Sequence, residues 1–279
     1  MKKLFVIVLS TVLAAASLSA QDLAQATEAY NTAATALAGG DKAAALSAFE
    51  SALSLAEALG GEGAEIAQRC KSTIPNLLTS IAKDCIKGGD AEGAIAKIGE
   101  AVAKAEAFGD ADAKAKAEEL YGTAWLTKGN SLLEAKSFAE AADAFKKALD
   151  YNPANGAAAI RLGQALDKAG DLDGAIEAYG LAKDNGQAKN ADKLLGTAYA
   201  KKAAAALKAQ DYKGAFELAE KCLEFGANAN AYKIAGNAAT QLKNYSAAIS
   251  YFEKYLAAAP TAKDAAAVTA TIEALKKQQ

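Results

Sequence analysis

The sequence predicts an all-α protein assembled from repeated helical hairpins. Hydrophobic residues make up 52% of the 279 positions, whereas aromatic residues supply only 7%, and alanine fills much of the difference. Alanine has the highest helix propensity, and its small side chain lets neighbouring helices approach closely. Only three prolines interrupt the chain, so long helices are possible. A pattern of small residues also recurs at a spacing of about 34 residues, which indicates repeated units.

The first 20 residues have the composition of a secretory leader. Lys2 and Lys3 precede an apolar stretch over residues 4–16, and Ser17 to Ala20 offer small residues for cleavage. The stretch is shorter than the roughly 20 residues that a membrane-spanning helix needs. We therefore predict a signal peptide over residues 1–20 and export to the periplasm. Secretion, outer-membrane association and an uncleaved membrane anchor stay open as alternatives.

Composition and motifs disfavour several classes of function. The formal net charge is −2, so the chain lacks the basic surface that nucleic-acid binding requires. Histidine is absent, which removes the commonest general base and metal ligand at neutral pH. No P-loop, Gly-x-Ser-x-Gly or His-Glu-x-x-His motif occurs. We expect no enzyme activity, no cofactor and no metal, although a serine–lysine dyad is left open.

The three cysteines are expected to be buried, free thiols. Cys70 and Cys85 fall in one predicted helix, where fifteen residues separate them by roughly 22 Å, too far for a disulfide. Cys222 stands alone, and no Cys-x-x-Cys pair exists that would indicate a metal or redox site.

The clearest repeated unit begins near residue 122. Its small, aromatic and proline positions are Trp125, Gly129, Ala141, Phe145 and Pro153. The same spacing returns later in the chain at Gly163, Ala175 and Tyr179, and again at Tyr232, Gly236, Ala248, Phe252 and Pro260. Small residues at such positions let two helices cross closely, and the aromatic side chain fills the gap toward the next unit.

These motifs resemble the tetratricopeptide repeat (TPR), a helix–turn–helix unit of about 34 residues with the pattern W-x2-L-G-x2-Y, then A-x3-F, then P. Weaker copies suggest six repeats in all, starting near residues 26, 75, 122, 156, 196 and 229. The resemblance implies an α-solenoid, a right-handed superhelix of about six helical hairpins. The alternative is an alanine-rich helical bundle without this geometry, because small-residue patterns match such sequences easily.

Short polar turns are predicted between the two helices of each repeat. They lie at Gly40-Asp41, Gly89-Asp90, Lys136-Ser137, Gly170-Asp171, Gln210-Asp211 and Lys243-Asn244. The second residue of each turn is Asp, Ser or Asn, which can accept a backbone N–H at a helix N-terminus. Ser137 with Glu140 also reads as a capping box.

The spacing of the repeats divides the chain into four regions. Residues 1–20 form the leader, and residues 21–121 hold TPR-like repeats. The repeat starts at 26, 75 and 122 are 49 and 47 residues apart, more than the usual period of about 34, so the helices of this region are expected to be lengthened. We predict lengthened first helices in repeats 2 and 3, with Pro75 kinking the former or starting its second half. Residues 122–260 contain the well-matched repeats, with a small insertion near 185–192. Residues 261–279 are predicted to form a capping helix, which solenoids need at their ends.

The family resemblance implies that a protein or peptide partner binds on the concave wall, which the first helices of the repeats line. The positions that ligands contact in this family correspond here to Asn130, Leu133, Arg161, Gln164, Lys201, Lys233 and Asn237. Amides can pair with a partner's main chain and cations with its carboxylates. These residues could instead belong to an ordinary solvated surface, and Arg161 could serve a salt bridge to a neighbouring repeat.

The sequence therefore predicts a non-catalytic scaffold or adaptor of the bacterial cell envelope. Its partner and its oligomeric state are not specified by the sequence. The alternative is a glycan- or small-molecule-binding component of an uptake system. The single tryptophan, Trp125, occupies a packing position, which weighs against a glycan platform.

Overall fold

The computed structural model describes residues 21–278, and every regular element within them is helical. The chain divides into two compact halves at Lys128 and Gly129. We call the described parts the N-terminal half (residues 21–128) and the C-terminal half (residues 129–278). The helices are α1 (21–38), α2 (Lys42–Ala58), α3 (Ala64–Gly88), α4 (Ala91–Phe108), α5 (Ala111–Glu118), α6 (Tyr121–Glu134), α7 (Phe138–Tyr151), α8 (Gly156–Ala169), α9 (Leu172–Ala182), α10 (Ala188–Lys208), α11 (Tyr212–Glu224), α12 (Ala229–Gln241), α13 (Tyr245–Ala258) and α14 (Ala265–Lys276).

All six predicted turns adopt the same backbone shape, with a left-handed residue directly before the N-cap of the next helix. In the turn between α8 and α9, Gly170 has φ 92°, and the Asp171 carboxylate accepts the N–H of Gly174 at 2.9 Å. Glycine adopts this conformation without the steric cost that a side chain brings. Three turns use other residues there, namely Lys136, Gln210 and Lys243, at φ 62°, 63° and 58°.

The predicted capping box at Ser137 is wrong. Ser137 occupies the N-cap position of α7, but within the described residues its side chain accepts no capping hydrogen bond. Asp and Asn carry the cap in the other five turns, where each accepts a backbone N–H from three residues ahead. The turn before α7 is therefore the one that lacks a side-chain cap.

The N-terminal half surrounds a core in which α3 is the longest helix, at 25 residues. The helix continues through Pro75, which is fully buried, and Cys70 and Cys85 both lie on it as expected. All three cysteines of the chain are free; Cys70 and Cys222 are buried, and Cys85 is half-buried. The expected lengthened first helix of repeat 3 is instead two helices, because a turn at residues 119–120 separates α5 from α6.

The C-terminal half shows the same helix crossing three times. A Cβ placed on Gly129 would lie 2.5 Å from the Phe145 ring. The corresponding distances are 2.4 Å from Gly163 to the Tyr179 ring and 2.7 Å from Gly236 to the Phe252 ring. Since no side chain fits at such distances, each glycine is required by the aromatic ring of the following helix. The glycine and aromatic positions of the repeat are thus explained by direct packing.

The insertion near residues 185–192 forms a π-helical turn followed by an extended helix. The turn spans Lys183–Gln187, and Asn185 and Gly186 leave the helical region of backbone conformation. Helix α10 then runs for 21 residues, so it begins about eight residues before the predicted start of repeat 5. The sequence indicated an insertion here but not that most of it lengthens α10.

Helix α14 covers the end of the last repeat, in the region predicted to cap the chain. It buries Val268, Ile272 and Leu275 against the core of α12 and α13. No helix among residues 21–278 combines the length and the hydropathy needed to cross a bilayer. The predicted signal peptide lies outside the described residues.

Candidate functional site

A recess of about 480 Å³ opens in the C-terminal half, where helices of successive repeats meet. Helix α8 contributes three lining residues, α6, α7 and the turn between them contribute four, and α9 and α10 contribute one each. Such a volume accommodates the side chains of a short peptide segment. The lining residues are Leu133, Glu134, Lys136, Phe138, Gln164, Asp167, Lys168, Tyr179 and Leu194.

Three of the predicted binding residues are grouped at this recess. Leu133 and Gln164 line it directly from α6 and α8. Arg161 lies one turn before Gln164 on the same face of α8, and its guanidinium donates to the Gln164 side-chain oxygen at 3.4 Å. Arg161 is exposed, and no ion pair of its guanidinium is found among residues 21–278. The salt bridge considered as an alternative for Arg161 is therefore not formed within the described chain.

Lys201 does not line the recess but forms an ion pair with Asp167, which does. Its ammonium lies 2.7 Å from both carboxylate oxygens of Asp167, which joins α10 to α8. The Asp167 side chain is 17% exposed, whereas that of Lys201 is 49% exposed. A cation paired in this way is largely neutralised by its partner, so Lys201 adds little net positive charge to the recess.

The other predicted residues lie elsewhere in the C-terminal half. Lys233 on α12 pairs with Asp264 at 2.5 Å, directly before α14, so it holds the capping helix. Asn237 is one turn further along α12 and is half-buried. Asn130 lies one turn before Leu133 on α6 and is also half-buried, and it does not line the recess. Four of the seven predicted residues thus lie at or beside the recess, two lie on α12, and Asn130 lies on α6 outside the recess lining.

Tyr179 is the most informative side chain of the recess. Its residue is only 1% exposed, and its ring packs over Gly163. Within residues 21–278 its hydroxyl makes no hydrogen bond, although buried tyrosine hydroxyls usually have a partner. Burial, followed by the nearby Asp167 charge, raises the pKa of Tyr179 to about 12. The hydroxyl therefore stays protonated at neutral pH and can donate to a ligand.

The described chain has no metal-binding cluster, and its Cys70 thiol is not activated. No cluster of three metal-binding side chains occurs among residues 21–278. Burial raises the pKa of the Cys70 thiol to about 11, which suppresses the nucleophilic thiolate. Trp125 is half-buried and the Lys128 ammonium lies 5.0 Å from its ring centre, so this face of the ring is covered.

Seven of the nine lining residues were not among the predicted binding residues: Glu134, Lys136, Phe138, Asp167, Lys168, Tyr179 and Leu194. Tyr179 was interpreted as core filling, which describes its ring but not its hydroxyl. Asp167 precedes Lys201 by 34 residues, whereas the predicted starts of their repeats, 156 and 196, are 40 residues apart, so the two positions are not equivalent. The pairing of Asp167 with Lys201 could not be predicted from the repeat spacing. Leu194 could not be assigned, because the extension of α10 was not predicted.

Comparisons with known proteins agree with the repeat pattern. Family models of the tetratricopeptide repeat match residues 126–190 and residues 229–261. These segments hold the three repeats whose glycine and aromatic positions are clearest in the sequence. No curated protein matches the chain.

Several solved structures are similar to this chain at low identity. The structure of YrrB, described as a TPR protein with an unusual peptide-binding site, is 19% identical, with 69% of this chain and 90% of YrrB covered and a TM-score of 0.39. MamA from Desulfovibrio magneticus RS-1 is 18% identical (68% and 97% covered, TM-score 0.37). Pseudomonas aeruginosa pilF is 14% identical (89% and 99% covered, TM-score 0.35).

Proposed function

Because this chain is a tetratricopeptide-repeat protein, we propose that it is a scaffold that holds a segment of a partner protein in the recess of its C-terminal half. The observation that carries the proposal is the grouping of Leu133, Gln164 and Tyr179. These three side chains come from three helices, yet they line one recess. Apolar walls with a few polar groups are typical of sites that bind another molecule.

The proposed role is binding without catalysis. The recess combines a buried phenol, an amide and an ion pair between Asp167 and Lys201. A nucleophile activated by an adjacent base is the usual arrangement for covalent catalysis, and these groups do not supply one. They can instead donate and accept hydrogen bonds with a peptide backbone.

Site-specific photo-crosslinking in cells that naturally express the protein tests this function. A photoreactive amino acid replaces Arg161, which is exposed beside the recess, or Glu177, which is exposed on α9, as a matched control. We expect a discrete crosslinked product of defined mass from position 161 and not from position 177. Products from both positions alike, or from neither, would count against binding at the recess.

We further propose that the scaffold acts in the bacterial envelope, in the periplasm, after residues 1–20 are removed. The leader pattern of Lys2, Lys3 and the apolar residues after them supports this location. Mass spectrometry of protein purified from fractionated cells tests it. Export predicts a mature N-terminus at or close to Gln21 in the periplasmic fraction, whereas an intact Met1 in the cytoplasmic fraction would refute it.

A further inference from the structure

The recess carries an excess of unpaired positive charge, which restricts the partner it can hold. Lys136 and Lys168 line it, and Arg161 lies beside Gln164 at its edge. All three are exposed, and none forms an ion pair with another residue between 21 and 278. Glu134 is the only acid of the lining without an ion-pair partner there, because Asp167 is occupied by Lys201. Three unpaired cations therefore stand against one unpaired acid.

This local excess is opposite in sign to the chain as a whole, whose formal net charge is −2. A surface that concentrates one charge attracts partners of the other charge and disfavours partners of its own. The Asp167–Lys201 pair keeps the one deeply placed carboxylate of the recess neutralised. A negatively charged segment would consequently meet cations at the rim without facing an uncompensated acid inside.

The interior of the recess is suited to an uncharged side chain. Leu133, Phe138 and Leu194 give it apolar walls, and the Tyr179 ring adds a rigid aromatic surface. Burying a charged group there would cost its hydration, whereas an apolar side chain gains from leaving water. The Tyr179 hydroxyl is the exception, because it has no hydrogen-bond acceptor within the described chain. A backbone carbonyl of the bound segment would supply one.

We infer that the partner segment is acidic and carries one apolar anchor residue. The aliphatic or aromatic side chain of the anchor enters the recess, and carboxylates on either side of it pair with Arg161, Lys136 and Lys168. A main-chain carbonyl of the segment accepts a hydrogen bond from the Tyr179 hydroxyl. The inference rests on the proposed function and specifies the chemistry of its ligand. It does not require a free chain terminus, because the cations can pair with side-chain carboxylates.

Binding of short synthetic peptides to the full-length mature protein tests the inference. The probe has a central leucine with two acidic residues on each side, and both ends are blocked so that no terminal carboxylate contributes. Two matched probes replace the acids by lysines, or the leucine by alanine. Titrations followed by NMR, with leucine methyl groups labelled, should show saturable shifts at Leu133 and Leu194 for the acidic leucine probe. The lysine probe should not saturate.

Two variants with matched controls examine the individual contacts. Tyr179→Phe keeps the ring on Gly163 but removes the donor, so the affinity should fall about threefold to tenfold. Tyr251→Phe removes a hydroxyl that bonds to Glu220 away from the recess and should leave the affinity unchanged.

Lys168→Gln should weaken binding about twofold to fivefold, and raising the salt concentration should reduce that difference. Lys213→Gln, on the exposed face of α11, is its control.

The outcomes separate this inference from the proposed function. No saturable shift at millimolar concentrations of the acidic probe would overturn the inference, as would equal binding of the lysine probe. Unchanged affinity for the acidic probe in both Tyr179→Phe and Lys168→Gln would overturn it as well. Because Lys168→Gln alters only an exposed side chain, this variant is expected to fold like the wild-type protein. If crosslinking at position 161 still succeeds, the scaffold function stands with a partner of different chemistry. If both experiments fail, the recess is not the binding site.

Discussion

The Tyr179 ring occupies the space that a side chain at Gly163 would need, since a Cβ there would lie 2.4 Å from it. This contact links the repeat pattern to the recess. Glycine at position 163 lets α8 and α9 cross closely, and the crossing places a tyrosine where its hydroxyl has no partner in the described chain. One pair of residues therefore contributes both to the packing of the repeat and to the candidate binding site.

Gly163→Ala should destabilise the protein by about 1–3 kcal/mol, because the added methyl group forces the Tyr179 ring to move. Gly180→Ala on α9 is the matched control, since a Cβ there would meet no atom within 4 Å. Alanine in an open helical position should instead stabilise by about 0.5–1 kcal/mol. Urea unfolding of both variants checks the contrast, and a stable Gly163→Ala variant would disprove the packing argument.

Alanine substitutions at the N-cap positions should reduce stability by different amounts, depending on whether the replaced side chain accepts a capping hydrogen bond. Asp171 accepts the Gly174 N–H at 2.9 Å, so Asp171→Ala should cost about 1 kcal/mol. Ser137→Ala should cost much less, because the Ser137 side chain makes no capping hydrogen bond in the described chain. Thermal or urea unfolding distinguishes the two. Equal losses would mean that Ser137 does cap α7 in solution.

The left-handed turn residues offer a way to stabilise the fold. Lys243 has φ 58°, a conformation that costs a side-chain-bearing residue roughly 1–2 kcal/mol. Lys243→Gly removes that cost but raises the conformational entropy of the unfolded chain, so we expect the free energy of unfolding to rise by up to about 1 kcal/mol. The reverse change, Gly170→Ala, should destabilise by a similar amount. Midpoints of urea unfolding that shift the other way in either variant would contradict this interpretation.

The contact between the last repeat and α14 should depend on pH. The Lys233 ammonium, followed by the Tyr255 hydroxyl, lowers the pKa of Asp264 below its usual 3.8. Asp264 accepts from both groups at 2.5 Å. Because the pKa of Asp264 is lower in the folded than in the unfolded state, its ionised carboxylate stabilises the contact at any pH above the unfolded-state pKa. This stabilisation is lost as the pH falls through the folded-state pKa.

Asp264→Asn should therefore loosen α14 at neutral pH and make no difference once the pH falls well below 3.8, where the wild-type carboxyl is also neutral. Hydrogen exchange of the α14 amides in both proteins measures this. The hydrogen bond with Asp264 raises the pKa of Lys233, so that lysine keeps its charge through the whole acidic range. A difference between the two proteins that persists undiminished at low pH would show that Asp264 acts by other means.

Much of this fold follows from local patterns in the sequence. Gly163 and Tyr179 are sixteen residues apart, and the same interval relates Gly129 to Phe145 and Gly236 to Phe252, which is why the helix crossings were predictable. Turn positions were predictable because Asp, Ser or Asn stands in each repeat where the second helix begins.

Features that depend on contacts between repeats were harder to predict. The break between α5 and α6 falls at residues 119–120, where neither proline nor glycine marks it. Lys233 was assigned to a binding surface because nothing in the sequence indicates that Asp264, 31 residues later, folds back onto it. The recess itself includes Leu194 of the extended α10, which precedes the predicted start of repeat 5. Such features require the packed arrangement of the helices.

The affinity of the natural partner, captured by crosslinking and then purified, tests the central claim most directly. Calorimetric titration compares the wild-type protein with a variant that combines Arg161→Ala and Gln164→Ala, both at half-buried or exposed positions. We predict that the variant binds at least about tenfold more weakly while its far-UV circular dichroism is unchanged, because two polar contacts of roughly 1 kcal/mol each are lost. An unchanged affinity in the folded variant would place the binding surface away from these helices.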